Sequence, residues 1–176
     1  IISLVTQTNF VNYLENGVIK PLNLESTMFI PSSSVRSMIP PTEIDSWRGR
    51  LILGEVHDES AWAMGGVAGH AGLFSTTADL SKFCLAWLNK GASILKPETV
   101  KLALNTQWQD SGYGWRKYRP WMGKFAQDSS FGHTGFTGGM MLISPKHQLT
   151  TVMLSNWIYP KRRDSEIISQ VRKDIC

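Results

Sequence analysis

The chain of 176 residues contains no apolar run approaching the ~20 residues that a membrane-spanning helix needs. No transmembrane segment is therefore expected. The first residues also lack the charged start of a signal peptide, although a mature or truncated chain would look the same, so compartment is not read from this. Cysteine is scarce, with only Cys84 and Cys176, which excludes a disulfide framework. Neither cysteine has metal-ligand spacing, and neither a metal nor another cofactor is expected. Charged residues make up 18% of the chain. The net charge is +4, but the basic residues are scattered apart from Lys161-Arg162-Arg163, and no basic stripe is interleaved with aromatics. That excludes a nucleic-acid partner and leaves solvated surface as the reading of the basic run. Internal repeats and low-complexity tracts are absent.

The hydrophobic share of 42% is that of a globular protein, and the length suits one domain or part of a larger one. Residues 1–6 read as the end of a helix. Phe10, Tyr13 and Leu14 give helical spacing over residues 9–15, with Gly17 as the stop. Residues 31–61 have no period and read as a long loop. A helix is expected over residues 77–90, capped by Thr76, with Asp79 at the capping-box position and Gly91 as its stop. Cys84 lies on its apolar face with Leu80, Phe83, Trp87 and Leu88, as a buried thiol. Residues 97–104 form a short helix with proline in its first turn. A strand is expected at 112–118. The clearest β signal is a strand over 132–143, a turn at 145–148 and a strand over 149–157. From Asp164 onward, Ile167, Ile168, Val171 and Ile175 mark an amphipathic helix. Helices and loops, then an antiparallel meander, then a helix predict an α+β fold with an antiparallel sheet flanked by helices. Residues 1–105 form its helical, loop-rich region and residues 106–176 its sheet strands and last helix.

Two stretches stand out. Residues 65–76 read GGVAGHAGLFST, and residues 131–145 read FGHTGFTGGMMLISP. In the second, Gly132, Gly135, Gly138 and Gly139 crowd one expected strand. Glycine inside a strand marks a place where a backbone or ligand comes close. His133 and Thr134 bring a titratable ring and a hydroxyl to the same spot. Such a strand could bind an extended acyl-peptide, and its N–H groups could stabilise an oxyanion. From the tetrapeptide alone, a twisted strand with bulges and a satisfied histidine is the leading reading. Glu43, Glu55, His57, Asp58 and His70 are titratable residues on loops near the glycine-rich turn. Hydrogen bonds that order the long loop are their leading reading. Cleft lining, by His70 above all, comes second, and metal ligation is disfavoured because the short zinc spacings are missing. Trp47, Trp62, Trp108, Trp115, Trp121 and Trp157 are core, groove wall or a sugar-stacking surface.

These stretches, taken in order, resemble the C-terminal portion of the serine β-lactamase and penicillin-binding-protein family. The resemblance is to its members related to class C β-lactamases and D-alanyl-D-alanine peptidases. Ile19-Lys20-Pro21-Leu22-Asn23-Leu24, followed by Thr27-Met28-Phe29, is similar to a family segment ending a helix at Pro-Leu-Gly-Met. Asn23 replaces the glycine, a change that a left-handed position tolerates. Pro41-Thr42-Glu43, Arg48-Gly49-Arg50 and residues 54–59 (GEVHDE) resemble a subgroup signature. Residues 65–80 resemble the turn and helix that wall the cleft. His133-Thr134-Gly135 matches the family's third motif, Lys/His-Thr-Gly.

The resemblance implies a β-lactamase/transpeptidase-like fold, incomplete at the N-terminus, and an acyl-serine mechanism. By that resemblance, His133 tunes the proton relay, Thr134 binds the substrate carboxylate, and Gly135 and Phe136 form the turn whose Phe136 N–H is an oxyanion donor. Gly69 and His70 line the substrate. The implied substrates are D-Ala-D-Ala peptides of peptidoglycan or β-lactams, with small esters an alternative and a non-catalytic binding fragment another. The implied compartment is periplasmic or extracellular. The family's other motifs are absent: no Tyr-x-Asn or Ser-x-Asn occurs. Ser93-Ile94-Leu95-Lys96 matches the nucleophile motif Ser-x-x-Lys by letter. It precedes Pro97, however, which biases Lys96 away from helix, so Ser93 and Lys96 would not share a face. The nucleophile is therefore expected outside these residues, on a missing N-terminal half or a second chain.

Overall fold

The computed structural model describes every residue except Thr106, Gln107, Gln109 and Asp128. The expected division between residues 105 and 106 abuts Thr106, which lies outside the described residues. The fold is α+β. The chain forms two compact units, residues 1–79 with 156–163 and residues 80–155 with 164–176.

In the first unit, α1 (Ile2–Thr6) is followed by α2 (Phe10–Leu14), whose first turn is capped by Asn9 accepting from the Val11 N–H at 2.8 Å. Gly17 does not stop this helix. The chain widens into a π-helical turn over Glu15–Ile19, and the Lys20 N–H reaches back five residues to the Glu15 carbonyl. The exit comes at Asn23, which takes the left-handed φ of 53° expected of a residue replacing glycine. β1 (Met28–Phe29) pairs antiparallel with β4 (Leu73–Phe74). The expected long loop is more ordered than its pattern suggested. It contains α3 (Ser33–Arg36), the hairpin β2 (Ile44–Asp45) and β3 (Arg50–Leu51), and α4 (Glu59–Ala63). Elements this short carry too few residues to display a period.

α5 (Thr77–Leu88) crosses the boundary between units at Asp79. Thr76 accepts from the Asp79 N–H, as the capping reading requires. The Asp79 carboxylate takes the Ser26 N–H at 2.7 Å and the Thr27 hydroxyl at 2.9 Å, so this cap also anchors the segment that leads into β1. At the other end the Gly91 N–H closes the helix on the Ala86 carbonyl. α6 (Pro97–Asn105) follows.

The second unit is built on a meander of four antiparallel strands in sequence order: β5 (Arg116–Lys117), β6 (Phe131–Thr134), β7 (Met140–Ser144) and β8 (Leu149–Met153). The strand expected over 132–143 is two strands joined by a turn. Gly138 takes a φ of 118°, which side chains rarely adopt, and the Gly135 N–H bonds to the Gly139 carbonyl at 2.8 Å. β7 is covered on both faces. Ile143 and Phe131 pack with Cys84 and Trp115, while Met140 and Leu142 pack with Met122, Phe125 and Cys176. Trp87, Trp115 and Phe131 meet edge-to-face with centroids 5.1–6.2 Å apart. Cys84 is fully buried, and desolvation pushes its thiol up to about 12.

α7 (Ser165–Ile175) closes the unit, capped by Asp164. Its buried side keeps only Ile168 of the expected apolar stripe. Ile168, Arg172 and Cys176, four residues apart, face inward, whereas Ile167, Val171 and Ile175 are 60%, 39% and 49% exposed.

Of the four glycines expected to leave a strand open, Gly132 is buried and its space is taken. A Cβ there would lie 2.2 Å from the Met141 carbonyl oxygen and 2.9 Å from the Trp121 ring. Gly135 is exposed, and a Cβ there would meet nothing closer than 3.8 Å. Gly132→Ala should therefore cost about 1–3 kcal/mol by forcing β6 from β7, whereas Gly135→Ala should change stability little. Chemical unfolding of the two variants checks this; equal losses would contradict it.

Candidate active site

The third-motif residues lie where β6 runs into its glycine turn. His133 is paired across the ladder with Met141, and Thr134 with Met140. The exposed His133 ring places Nδ1 2.8 Å from the Thr134 carbonyl oxygen. A carbonyl only accepts, so Nδ1 is the donor in this contact and the ring is oriented with Nε2 on its far side. Gly135 opens the turn, and the Phe136 side chain is 66% exposed. The turn is gripped from beneath by Arg172 of α7. Its Nη2 lies 2.9 Å from the Gly135 carbonyl oxygen and 3.1 Å from that of Gly139, and its Nε 3.3 Å from that of Gly138. Burial pushes the Arg172 guanidinium below its ordinary value, and the carbonyl cluster answers its charge. The amphipathic reading of α7 overlooked this residue. The one available signal was a charged residue four places after Ile168, on the side that turned out to be buried.

Gly69 and His70 belong to the first unit and lie in its glycine-rich turn, both exposed. His70 Nε2 sits 3.1 Å from an Asp58 carboxylate oxygen, and the same oxygen caps α4 through the Ala61 N–H at 2.8 Å. Hydrogen bonds from the Ala61 N–H and from His70 hold the Asp58 carboxyl below its usual range. Nearby, a cavity of about 240 Å³ is lined by Trp62, Glu55, Arg36, Gly65 and Gly66 among others.

The loop carboxylates form a charge network that orders the region, as their leading reading held. Glu43 is buried, with His57 Nε2 at 2.6 Å and Arg162 Nε at 2.9 Å from one of its oxygens. Arg162, read from the sequence as solvated surface, also pairs with Glu59. Burial would raise the Glu43 carboxyl, but the hydrogen bonds from His57 and Arg162 outweigh it and hold Glu43 below its ordinary 4.5. Arg48 is paired with Asp45 at 3.2 Å, donates to the Val56 and His57 carbonyls at 2.9 and 2.7 Å, and lies against the rings of Trp47 and Trp62. Arg50 grips both oxygens of Glu55. The Ser93–Lys96 tetrapeptide lies in the turn before α6 rather than on a helix, with the Lys96 carbonyl accepting from the Thr99 and Val100 N–H groups.

The Beta-lactamase family model matches residues 1–173. The chain belongs to the beta-lactamase family. Among curated relatives, this beta-lactamase-family chain is 35% identical to a candidate D-alanyl-D-alanine carboxypeptidase of Escherichia coli (strain K12) over 181 residues, covering 89% of the chain and 42% of the relative. It is 33% identical over 183 residues to a relative so described from Salmonella newport (strain SL254), with the same coverage. The chain thus spans about two fifths of the length of these relatives. Among solved structures, a beta-lactamase from Mycobacterium bovis superposes with a TM-score of 0.65 at 18% identity, over 99% of this chain and 57% of that one. The octameric penicillin-binding protein homologue of Pyrococcus abyssi gives 0.63 at 19% identity, over 88% and 35%. Both support the α+β, transpeptidase-like fold.

The Glu43 network makes acid stability testable. Its folded carboxyl titrates below the ordinary 4.5, so its contribution is complete above that value and is lost as pH falls through the lower folded one. The melting temperature, followed by tryptophan fluorescence, should decline as pH falls from about 4.5 through the lower folded value. Glu43→Gln should flatten the decline and cost about 1–2 kcal/mol at neutral pH, discounted because Arg162 is half-exposed. An unchanged acid slope in the variant would refute the assignment.

Proposed function

We propose that this chain is the part of a serine hydrolase that presents the third motif to an acyl-serine centre. The proposed substrates are D-Ala-D-Ala-type peptides or β-lactams. The observation that carries the reading is His133-Thr134-Gly135 at the accessible end of β6, in a chain of the beta-lactamase family. The peptidase description of the curated relatives supports the substrate class. In this reading the Thr134 hydroxyl binds the substrate carboxylate and the Phe136 N–H contributes to the oxyanion site. His133, oriented by its contact with the Thr134 carbonyl, tunes the electrostatics of the proton relay. Gly69 and His70 line the substrate. The nucleophile and its base come from polypeptide other than these residues, because Ser93 and Lys96 occupy a turn. That polypeptide also covers the exposed stripe of Ile167, Val171 and Ile175 and the outer edge of β8, a surface that otherwise invites strand pairing. Residues 1–176 are then the later part of a single domain working in the periplasm or outside the cell. Among the described residues no helix is long and apolar enough to cross a membrane.

Incubation with a labelled penicillin, read by intact mass, tests the reading. The 176-residue chain should remain unmodified, and the protein that also contains a Ser-x-x-Lys helix should gain one adduct. An adduct on the 176-residue chain, lost in Ser93→Ala, would overturn the assignment of the nucleophile. In the competent protein Thr134→Val should slow turnover of carboxylate-bearing substrates by an amount equivalent to about 1.5–3 kcal/mol with the fold intact. Unchanged turnover would remove the carboxylate role and favour ester substrates.

A further inference from the structure

Arg172 contacts the motif turn through its main chain, and the pattern of contacts is specific. The Gly135 carbonyl oxygen accepts from Arg172 Nη2 at 2.9 Å and from the Gly138 N–H at 3.1 Å. That carbonyl and the Phe136 N–H are the two ends of one planar peptide unit. Two donors on the oxygen, one of them a buried cation, hold the plane of that unit and draw electron density toward the oxygen. Both effects act on the N–H at the other end: its direction is fixed and its hydrogen becomes a stronger donor. The second contact of Nη2, with the Gly139 carbonyl, ties down the far side of the turn, and Gly139 is bonded back to the Gly135 N–H. The guanidinium therefore spans the turn from entry to exit. The turn needs such a clamp, because Gly135, Gly138 and Gly139 supply no side chain to pack it.

We propose that Arg172 is a positioning residue for the reaction: it holds and polarises the Gly135–Phe136 peptide so that the Phe136 N–H is aimed and strengthened as an oxyanion donor. This rests on the acyl-serine reading above. An oxyanion donor acts on charge that develops in the transition state, so its loss lowers kcat more than it raises KM. A lysine restores the charge but presents no planar fork, and one ammonium cannot span the turn as the guanidinium does.

The test uses the protein that contains the complete catalytic set, with Arg172→Lys and Arg172→Met, in two independent measurements. In the first, the Phe136 amide is followed by NMR and hydrogen exchange. Its proton resonance should move upfield and its base-catalysed exchange slow at least threefold in Arg172→Met, because the amide loses the polarisation that makes its hydrogen acidic, with Arg172→Lys between that variant and the parent, while amides of β7 and β8 change little. In the second, hydrolysis of an acyl substrate should lose at least tenfold in kcat in Arg172→Met with KM changed less than threefold, and Arg172→Lys should recover part of it. An unchanged Phe136 amide in a folded Arg172→Met or Arg172→Lys variant overturns the clamp. A shifted amide with unchanged kcat overturns its role in catalysis. If the parent protein neither hydrolyses nor is acylated, the acyl-serine reading fails instead, and the amide measurement alone still decides whether Arg172 holds this peptide.

Discussion

A charge removed from water must be answered by polar groups, and in each unit one buried charge sets the course of the loops around it. In the second unit that charge is Arg172, seated among three main-chain carbonyls of the turn between β6 and β7. In the first it is Glu43, answered by His57 and Arg162 from segments 14 and 119 residues away. Desolvation opposes both placements, so neither side chain would be buried unless its partners were held within hydrogen-bond reach. The segments that supply the partners are consequently tied to one conformation.

This explains how regions with little regular structure hold shape. Residues 31–61 contain only elements of two to five residues, which have no stability of their own. Arg48 and Arg50 bind them together with Asp45, Glu55 and the carbonyls of Val56 and His57. Asp58 starts α4 and holds His70 of the glycine-rich turn with the same oxygen. In the second unit, rigidity starts from β7, which is packed on both faces. It is transmitted to His133 and Thr134 through the ladder with Met141 and Met140. A motif on a strand held in this way is placed more exactly than one on a free loop, as a site for acyl transfer requires.

Much of the framework was legible in the chain. α5, α6 and α7 announce themselves by caps and apolar spacing at Thr76, Pro97 and Asp164. The β7–β8 hairpin does so by alternation around residues 145–148. Asn23 takes the left-handed conformation that its place in the motif implied. The errors share one cause, which is that a local pattern does not name its partner. Gly132, Gly135, Gly138 and Gly139 looked alike in sequence. Gly132 is filled by its neighbours' atoms, Gly138 makes a positive-φ turn, Gly135 is left open and Gly139 sits at ordinary contact distance from Met153 and Leu154, and only the tertiary packing distinguishes them. Of the apolar residues of α7 that looked like one core face, only Ile168 is buried. The face that is buried was chosen by what Arg172 and Cys176 meet beneath it.

By itself the sequence determined the family, the α+β class, the position of the third motif and the absence of a helix-borne Ser-x-x-Lys among these residues. All of these are local properties, read from runs of a few residues. The tertiary structure alone decided that Arg162 is a partner of Glu43 rather than free surface. It also decided that Arg172 reaches back 33 to 37 residues to hold the motif turn. Such pairings depend on which distant segments the packed core brings together. No spacing along the chain records that, because the free energy that selects them is gained only when both partners leave water at once.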